Sequence, residues 1–430
     1  MNIQSLRPRS NRPWRRACAA VGVFMMTLGL VALSAQSKPG AVVLFAGLGP
    51  ELIQYDVDVD RATLTKRGSV MLPANVQEAW RHPSKPILYV AWSDRGPGAG
   101  QPGGTRHGLT AFAIDGQSGA LRPHGPVATL RSRAIHLTVD APGAHVLVAY
   151  NEPAALTVHR IQPDGTIGSE VKQAAPLELG IYPHHVRVDP SNTSVLLMSR
   201  GNNPTSTKAE EPGSMHILGY KDGVLANRKT VAPNRGFGFQ VRHSDFHPTR
   251  PWVYVTVERQ NKLQMYQKAA DGTLSDAPSF SKDTLSDPAH VRPGQTTSSI
   301  HVHPNGRFVY LGNRSAGTIR EESQTVFAGG ENSIAVFQIN QTTGEPTLIQ
   351  NADSRGFTPR TFAVDPSGRM LVVANQVSMQ VREGNSVKTV PGGLTVFKVL
   401  SDGKLEFVSK YDLDVSADKA LFWAGLVSMR

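Results

Sequence analysis

Six times along the chain, an alternating run of apolar and polar residues reaches His-Pro, Asp-Pro or a lone Asp, turns through Pro, Gly or Asn, and resumes as an almost wholly apolar run. The copies are VQEAWRHPSKPILYVAW, AIHLTVDAPGAHVLVAY, HHVRVDPSNTSVLLMSR, RHSDFHPTRPWVYVTVE, SIHVHPNGRFVYLGNR and TFAVDPSGRMLVVANQ. A period of two suits a strand with one buried face, and a continuous apolar run suits a strand buried on both, so each copy predicts two antiparallel strands around a tight turn. A second pattern follows each copy: an amphipathic strand, a turn usually containing Gly, and another strand, as in LTAFAIDGQSGALRP and LTVFKVLSDGKLEF. Each unit therefore supplies four strands, the content of one propeller blade.

An extra second half, LIQYDVDVDRATLTK, opens the repeat region without an inner strand, and ALFWAGLVSM at the extreme C-terminus is the candidate to supply it. Counting that composite blade, the pattern predicts an all-β, seven-bladed β-propeller of four-stranded antiparallel blades over residues 41–430. The C-terminal strand closes the ring by joining the first blade, which removes exposed sheet edges. No long stretch has a 3.6-residue period, so helices should be few. Residues 94–108, 201–213, 315–332 and 377–392 are longer than a hairpin needs, and all four leave the end of a second strand.

The repeat register isolates a site. With the turn residues His82, Asp140, Asp189, His247, His303 and Asp365 as reference, the positions eleven residues later are Ser93, Asn151, Arg200, Glu258, Arg314 and Gln376. Five residues before the reference stand Gln77, Ile135, His184, Arg242, Ser298 and Arg360. Both sets belong to the same end of the hairpin, so they ring one mouth of the channel. A wet mouth accounts for Gln77, Ser93, Asn151 and Ser298. It does not account for His184, Arg200, Arg242, Glu258, Arg314 and Arg360, whose four guanidiniums repel one another unless an anion or ion-pair network is present. The reference histidines His82, His247 and His303 read as structural, replacing Asp at a turn where the side chain bonds nearby backbone. His184 and His185 are neighbours in a strand and should point to opposite faces, with His184 toward the channel.

The first residues stand apart from this pattern. Arg7, Arg9, Arg12, Arg15 and Arg16, with no acid among them, precede an apolar run over residues 17–33 and the small residues Ser34, Ala35 and Ser37. That order predicts a signal peptide over residues 1–37 and a periplasmic or secreted protein with no stable membrane insertion after cleavage. The one cysteine, Cys18, lies in this leader, so the remainder has no disulfide and no Cys-based metal site. Of the formal net charge of +11, five units are leader arginines, leaving +6 for the rest. This moderate excess suits an anionic small molecule as well as a cell-surface polyanion, and no Lys/Arg block points to nucleic acid. The 40 Gly and 30 Pro are the punctuation that many short strands require. Metal catalysis is disfavoured by the absence of a Cys set or a His-x-x-x-His helix, although His301 and His303 share a strand face. The Gly-rich stretch 96–104 follows no phosphate-loop spacing and reads as a rim loop.

From about Ala41 to the C-terminus the chain resembles the seven-bladed propeller lactonases, which include bacterial 6-phosphogluconolactonases and the fungal carboxy-cis,cis-muconate lactonizing enzyme. The likeness is strongest in VRHSDFHPTRPWVYVTVE, IHVHPNGRFVYLGNR and TPRTFAVDPSGRMLVVANQ. It implies a catalytic set of His184 in Pro183-His184, Arg242 in Arg242-His243, Glu258 at a strand end, and Arg314 in Asn313-Arg314. Arg360 and Gln376 also match family motifs, and with Arg200 and Asn151 they form the expected substrate-binding set. The implied activity is hydrolysis of an anionic lactone without metal or other cofactor. His184 would serve as base, Arg242 and Arg314 as anion and oxyanion holders, and Glu258 as an orienting or proton-relaying group. Two alternatives stand beside it: a non-catalytic periplasmic propeller binding an anionic ligand or protein partner, and a cycloisomerase of the muconate type. Insertions around Gly100, Thr207, Glu321 and Val381 set this chain's rim apart from the family pattern. The oligomeric state is not legible.

Overall fold

The computed structural model describes residues 41–95, 104–321, 323–416 and 419–429. The expected leader with Cys18 and most of the Gly-rich loop lie outside them. The described residues form seven antiparallel blades, six of four strands and one in which a short fifth strand, Ala128–Thr129, pairs beside the four, together with two separate two-stranded hairpins. From the inner strand outward, blade 2 begins with Asn75–Arg81 and Ile87–Ser93, blade 3 with Ala134–Val139 and His145–Asn151, and blade 4 with Pro183–Val188 and Ser194–Ser199. Blade 5 begins with Val241–Phe246 and Trp252–Val257, blade 6 with Thr296–Val302 and Phe308–Arg314, and blade 7 with Phe357–Val364 and Met370–Val377. In blade 1 the inner strand is Leu421–Ser428, paired antiparallel with Val42–Leu48, as the composite-blade reading expects. Among the described residues the one helical element is the short turn Pro233–Gly236.

The apolar runs divide the core into seven layers, each between two neighbouring blades. Tyr89, Ala91, Leu137 and Val148 pack between blades 2 and 3, and Tyr254, Met265, Ile300 and Leu311 between blades 5 and 6. The second strand of a blade is buried on both faces for this reason, which is why it lacks polar alternation. The repeat also encodes polar ties between blades. The Tyr89 hydroxyl donates to the Gly165 carbonyl at 2.8 Å, Tyr254 to Gly344 at 2.8 Å, and Tyr310 to Gly403 at 2.9 Å.

The turn histidines have the structural role expected of them. His247 Nδ1 accepts from the backbone N–H groups of Thr249 and Arg250 at 3.2 and 3.0 Å, and its Nε2 donates to the Gly306 carbonyl of the next blade at 2.8 Å. His82 bonds Gly143 in the same way and His303 bonds Gly368. Gly306 has φ +69° and faces the ring so closely that a Cβ would come within 2.6 Å of it, so glycine is needed there for both conformation and space.

One irregularity recurs in every inner strand. The pairing register slips at Gln77, Ile135, His184, Arg242-His243, Ser298-Ser299, Arg360 and, in blade 1, Phe422. These are the residues five before the turn reference, now extended to the seventh blade. A bulge leaves a residue unpaired and re-aims it, so the repeat turns one side chain per blade toward the axis at the same depth.

Candidate functional site

The bulges and the ends of the second strands together wall a cavity of about 540 Å³. His184 and Arg360 reach it from bulges, and Arg200, Glu258, Arg314 and Gln376 from the ends of second strands. These six come from four blades far apart in sequence, and the register brings them together as expected. Arg242 does not touch the cavity directly. It is wholly buried beneath the wall, with Nε 3.6 Å from Glu258 Oε1.

Glu258 is the hub. It is 4% exposed, pairs with Arg314 through Oε1 and lies 3.4 Å from Arg200 Nη1 through Oε2. Burial pushes its carboxyl up, but Arg314, Arg200, Arg242 and Arg360 outweigh that and hold it below the ordinary carboxylate value. It is therefore an ionised group that positions guanidiniums. No hydrogen bond joins it to His184 among the described residues.

His184 is 5% exposed, and its Nδ1 has no hydrogen-bond partner among the described residues. Burial first, then the charges of Arg242, Arg360, Arg200 and Arg314, hold the imidazole well below its usual value. It is neutral at pH 7 and free to accept a proton.

Three wall residues have no counterpart in the sequence reading. Tyr182 holds φ +59° one residue before Pro183, a left-handed conformation uncommon for a bulky side chain, and its ring lies 4.4 Å from the Arg200 guanidinium carbon. Phe422 carries Arg360 at 3.9 Å and Arg133 at 5.2 Å over its ring. Arg133 donates through Nε to the Gln77 side-chain amide oxygen, Oε1, at 2.6 Å. Burial brings Arg133 down to about 10, and burial with Arg314 and Arg133 brings Arg360 down to about 9, so both stay charged at neutral pH. Placing the C-terminal strand in register with the other six would have found Phe422.

Two expectations are corrected. Asn151 ends a second strand like Glu258 and Arg314 but is not among the residues that line the cavity, where Arg133 and Ile135 stand instead. Ser93 bonds His107 Nδ1 at 2.8 Å. His185 does not turn away from the channel. It lines a second axial cavity of about 260 Å³ deeper in the ring, because the bulge at His184 breaks the alternation on which the exclusion rested.

Two of the long segments carry hairpins of their own. Residues 318–327 and 379–390 each form a hairpin, Thr318–Glu321 with Gln324–Phe327 and Met379–Glu383 with Ser386–Val390. An Arg382–Glu321 ion pair ties them together. Ser378, at the root of the second hairpin, lines the cavity, and its hydroxyl accepts from the Gly392 N–H at 3.0 Å. Among the described residues no group of three or more His, Cys, Asp or Glu stands so as to hold a metal ion, and no helix is long and apolar enough to cross a membrane.

The seven-bladed ring, with arginines gathered around one carboxylate and one neutral histidine at one mouth, takes its class from the comparisons with known proteins, that of the lactone-hydrolysing carboxylic esterases. A profile of the family described as "Lactonase, 7-bladed beta-propeller" matches residues 46–385, and the chain belongs to that family. The 6-phosphogluconolactonase of Bacillus subtilis (strain 168) is 26% identical over 337 residues, covering 76% of this chain and 84% of its own length. That of Formosa agariphila is 31% identical over 293 residues, covering 64% and 73%. Among solved structures, the periplasmic gluconolactonase of Pseudomonas aeruginosa superposes with a TM-score of 0.66 at 18% identity, covering 91% of this chain and all of that one. A likeness at that identity speaks for the fold.

Proposed function

We propose that the cavity hydrolyses an anionic sugar or organic-acid lactone, of the 6-phosphogluconolactonase type, without a metal ion. The observation that carries this reading is the charge imbalance of the wall. Arg133, Arg200, Arg314 and Arg360 line the cavity and Arg242 adjoins it, while Glu258 is the one carboxylate among its lining residues. Surplus guanidinium charge in a partly desolvated pocket favours a carboxylate or phosphate, which a planar fork of donors can grip through two oxygens.

In this reading Arg360 and Arg200 hold the anionic substituent and Gln376 bonds a ring hydroxyl. Arg314, fixed on one side by Glu258, turns its remaining donors to the lactone carbonyl. His184 takes a proton from water as the oxygen attacks, and the tetrahedral oxyanion draws on Arg314, a contribution of roughly 10²–10³ in rate for one well-placed donor. The ring C–O bond then breaks, His184 returns its proton to the leaving alkoxide, and the new carboxylic acid ionises, releasing one proton to solvent. Binding of the anion offsets the arginine charges that depress His184, so the base strengthens once substrate is in place.

The leader sequence, together with a relative named as a periplasmic gluconolactonase, supports an exported enzyme acting on a lactone met outside the cytosol. The deciding experiment is a lactone panel, phosphorylated and not, with and without chelator. His184→Ala should cost about 10²–10⁴ in kcat, the usual worth of a general base. Hydrolysis unchanged by that substitution overturns the assignment, and solvent oxygen missing from the product would mark proton-transfer isomerisation instead.

A further inference from the structure

Below the cavity, at the level of the bulges, the axis holds polar groups that the proposed chemistry does not use. Arg242 is wholly buried, and none of its three guanidinium nitrogens has a hydrogen-bond partner among the described residues. Its Nε–Glu258 separation of 3.6 Å is an ion pair without a hydrogen bond. Leaving a buried charged donor set unsatisfied is costly, and native proteins fill such gaps with ordered water.

On the far side of Arg242 the pattern inverts. His185 Nε2 bonds the Ser244 carbonyl at 3.1 Å, so that nitrogen carries the hydrogen and Nδ1 is an acceptor. His136, likewise bonded to the Val186 carbonyl, has a bare Nδ1 as well. Both Nδ1 atoms are buried and without a partner among the described residues, in side chains no more than 5% exposed. The rings of His136 and His185 lie 4.2 Å apart, and those of His185 and His243 stack at 4.5 Å. His136 is tilted by 55° against His185 and stands edge-on to His243, and no group of three or more His, Cys, Asp or Glu among the described residues is placed to hold a metal ion.

Unsatisfied donors on Arg242 and unsatisfied acceptors on His136 and His185, with the unpaired Nδ1 of His184 beside them, thus stand near a shared axis without reaching one another. The molecule that accepts from one and donates to the other is water. The lower cavity has room for several, and it is lined from all seven inner strands, with half-buried Trp80, Val302 and Val364 toward its opening. His243 in the lower cavity lies 5.3 Å from His184 in the upper one, so only a thin septum divides them.

We propose that the channel below Arg242 is a hydrated conduit that brings water to His184 and carries away the released proton while substrate fills the upper mouth. This rests on the hydrolytic reading of the upper cavity. Hydrolysis consumes one water and liberates one proton per turnover, and both must cross a site whose upper opening the lactone itself occupies. Water entering past His185 and Arg242 replaces the one whose oxygen joins the carbonyl carbon, and the proton of the new carboxylic acid leaves along the same hydrogen-bonded column.

The test is to stopper the lower opening after folding. In the full chain with Cys18→Ser, a Val364→Cys variant carries one thiol at the lower cavity, which a bulky methanethiosulfonate reagent caps as a mixed disulfide and a reductant uncaps. Capping should lower kcat at least fivefold, leave KM within twofold, and be reversed by reductant. Full capping verified by mass with kcat unchanged overturns the conduit. If the uncapped protein opens no lactone, the hydrolytic reading fails instead, and the conduit is judged by a crystal structure resolving water. Waters linking Arg242 to His136 and His185 from one cavity to the other uphold it, and a dry septum overturns it.

Discussion

The Arg360 guanidinium carbon lies over Phe422, 3.9 Å from the ring centroid, joining the bulge of blade 7 to the bulge of the strand that closes the ring. Arg133 approaches the same ring, so one aromatic side chain sets the spacing of two cationic groups. Phe422→Leu keeps the apolar volume and removes the π face. A cation–π contact is worth about 0.5–2 kcal/mol, and KM for an anionic lactone should rise by roughly 2–30-fold with kcat less affected. Initial-rate kinetics check this; an unchanged KM would mean that Phe422 serves packing alone.

Glu258→Gln removes the charge that three arginines share. Breaking one partner of a buried ion pair costs about 3–5 kcal/mol, so the unfolding midpoint in denaturant should fall. kcat/KM should drop about 10²-fold as Arg314 loses its anchor. Added phosphate should restore part of the stability by supplying the missing negative charge.

The depressed His184 sets the acid limb of activity. The neutral imidazole is the working form, so kcat/KM should hold above its pKa and decline as pH falls through a value below the ordinary 6.5. With bound anion offsetting the arginines, the limb in kcat should lie at higher pH than the limb in kcat/KM. Coincident limbs would mean that the substrate's charge does not reach the histidine.

Stability should follow the deeper histidines. Burial, then Arg187 and Arg242, lowers His136 to about 3, and burial with neighbouring charges holds His185 and His243 well below 6.5. Between 6.5 and the folded-state values the unfolded chain binds more protons than the native one. The histidines' contribution to stability is thus full above pH 6.5 and shrinks as pH falls toward 3, while Glu78 on the same cavity, raised by burial to about 8, works in the opposite sense and weakens the fold as pH rises through that value. Denaturant melts at stepped pH measure it, and His136→Asn should flatten the slope.

The inter-blade hydroxyl ties are separable from function. Tyr254→Phe removes the donor to Gly344 and leaves the ring, so it should cost about 1 kcal/mol in unfolding free energy with kcat and KM unchanged. Chemical denaturation alongside steady-state kinetics tests both halves.

The repeats made the seven blades, the closing strand and most of the cavity legible because they have a fixed length: counting from a turn residue lands on the same depth in every blade. His184, Glu258, Arg314 and Arg360 followed from that count together with their charge. What escaped depends on local geometry that spacing does not encode. Tyr182 is aimed by a left-handed backbone, and His185 reaches the axis because a bulge cancels strand parity. The rim hairpins are legible as insertions but not as shapes, since their fold depends on each other through contacts such as Arg382 with Glu321.

The clasp between Leu421–Ser428 and Val42–Leu48 has a consequence for synthesis. Every group assigned to the chemistry is translated before the aromatic residue that seats two of the cations, so a nascent or prematurely terminated chain can hold its reactive side chains and still offer no finished receptacle. Competence therefore waits on the closing strand Leu421–Ser428, without which neither the ring nor the receptacle is finished.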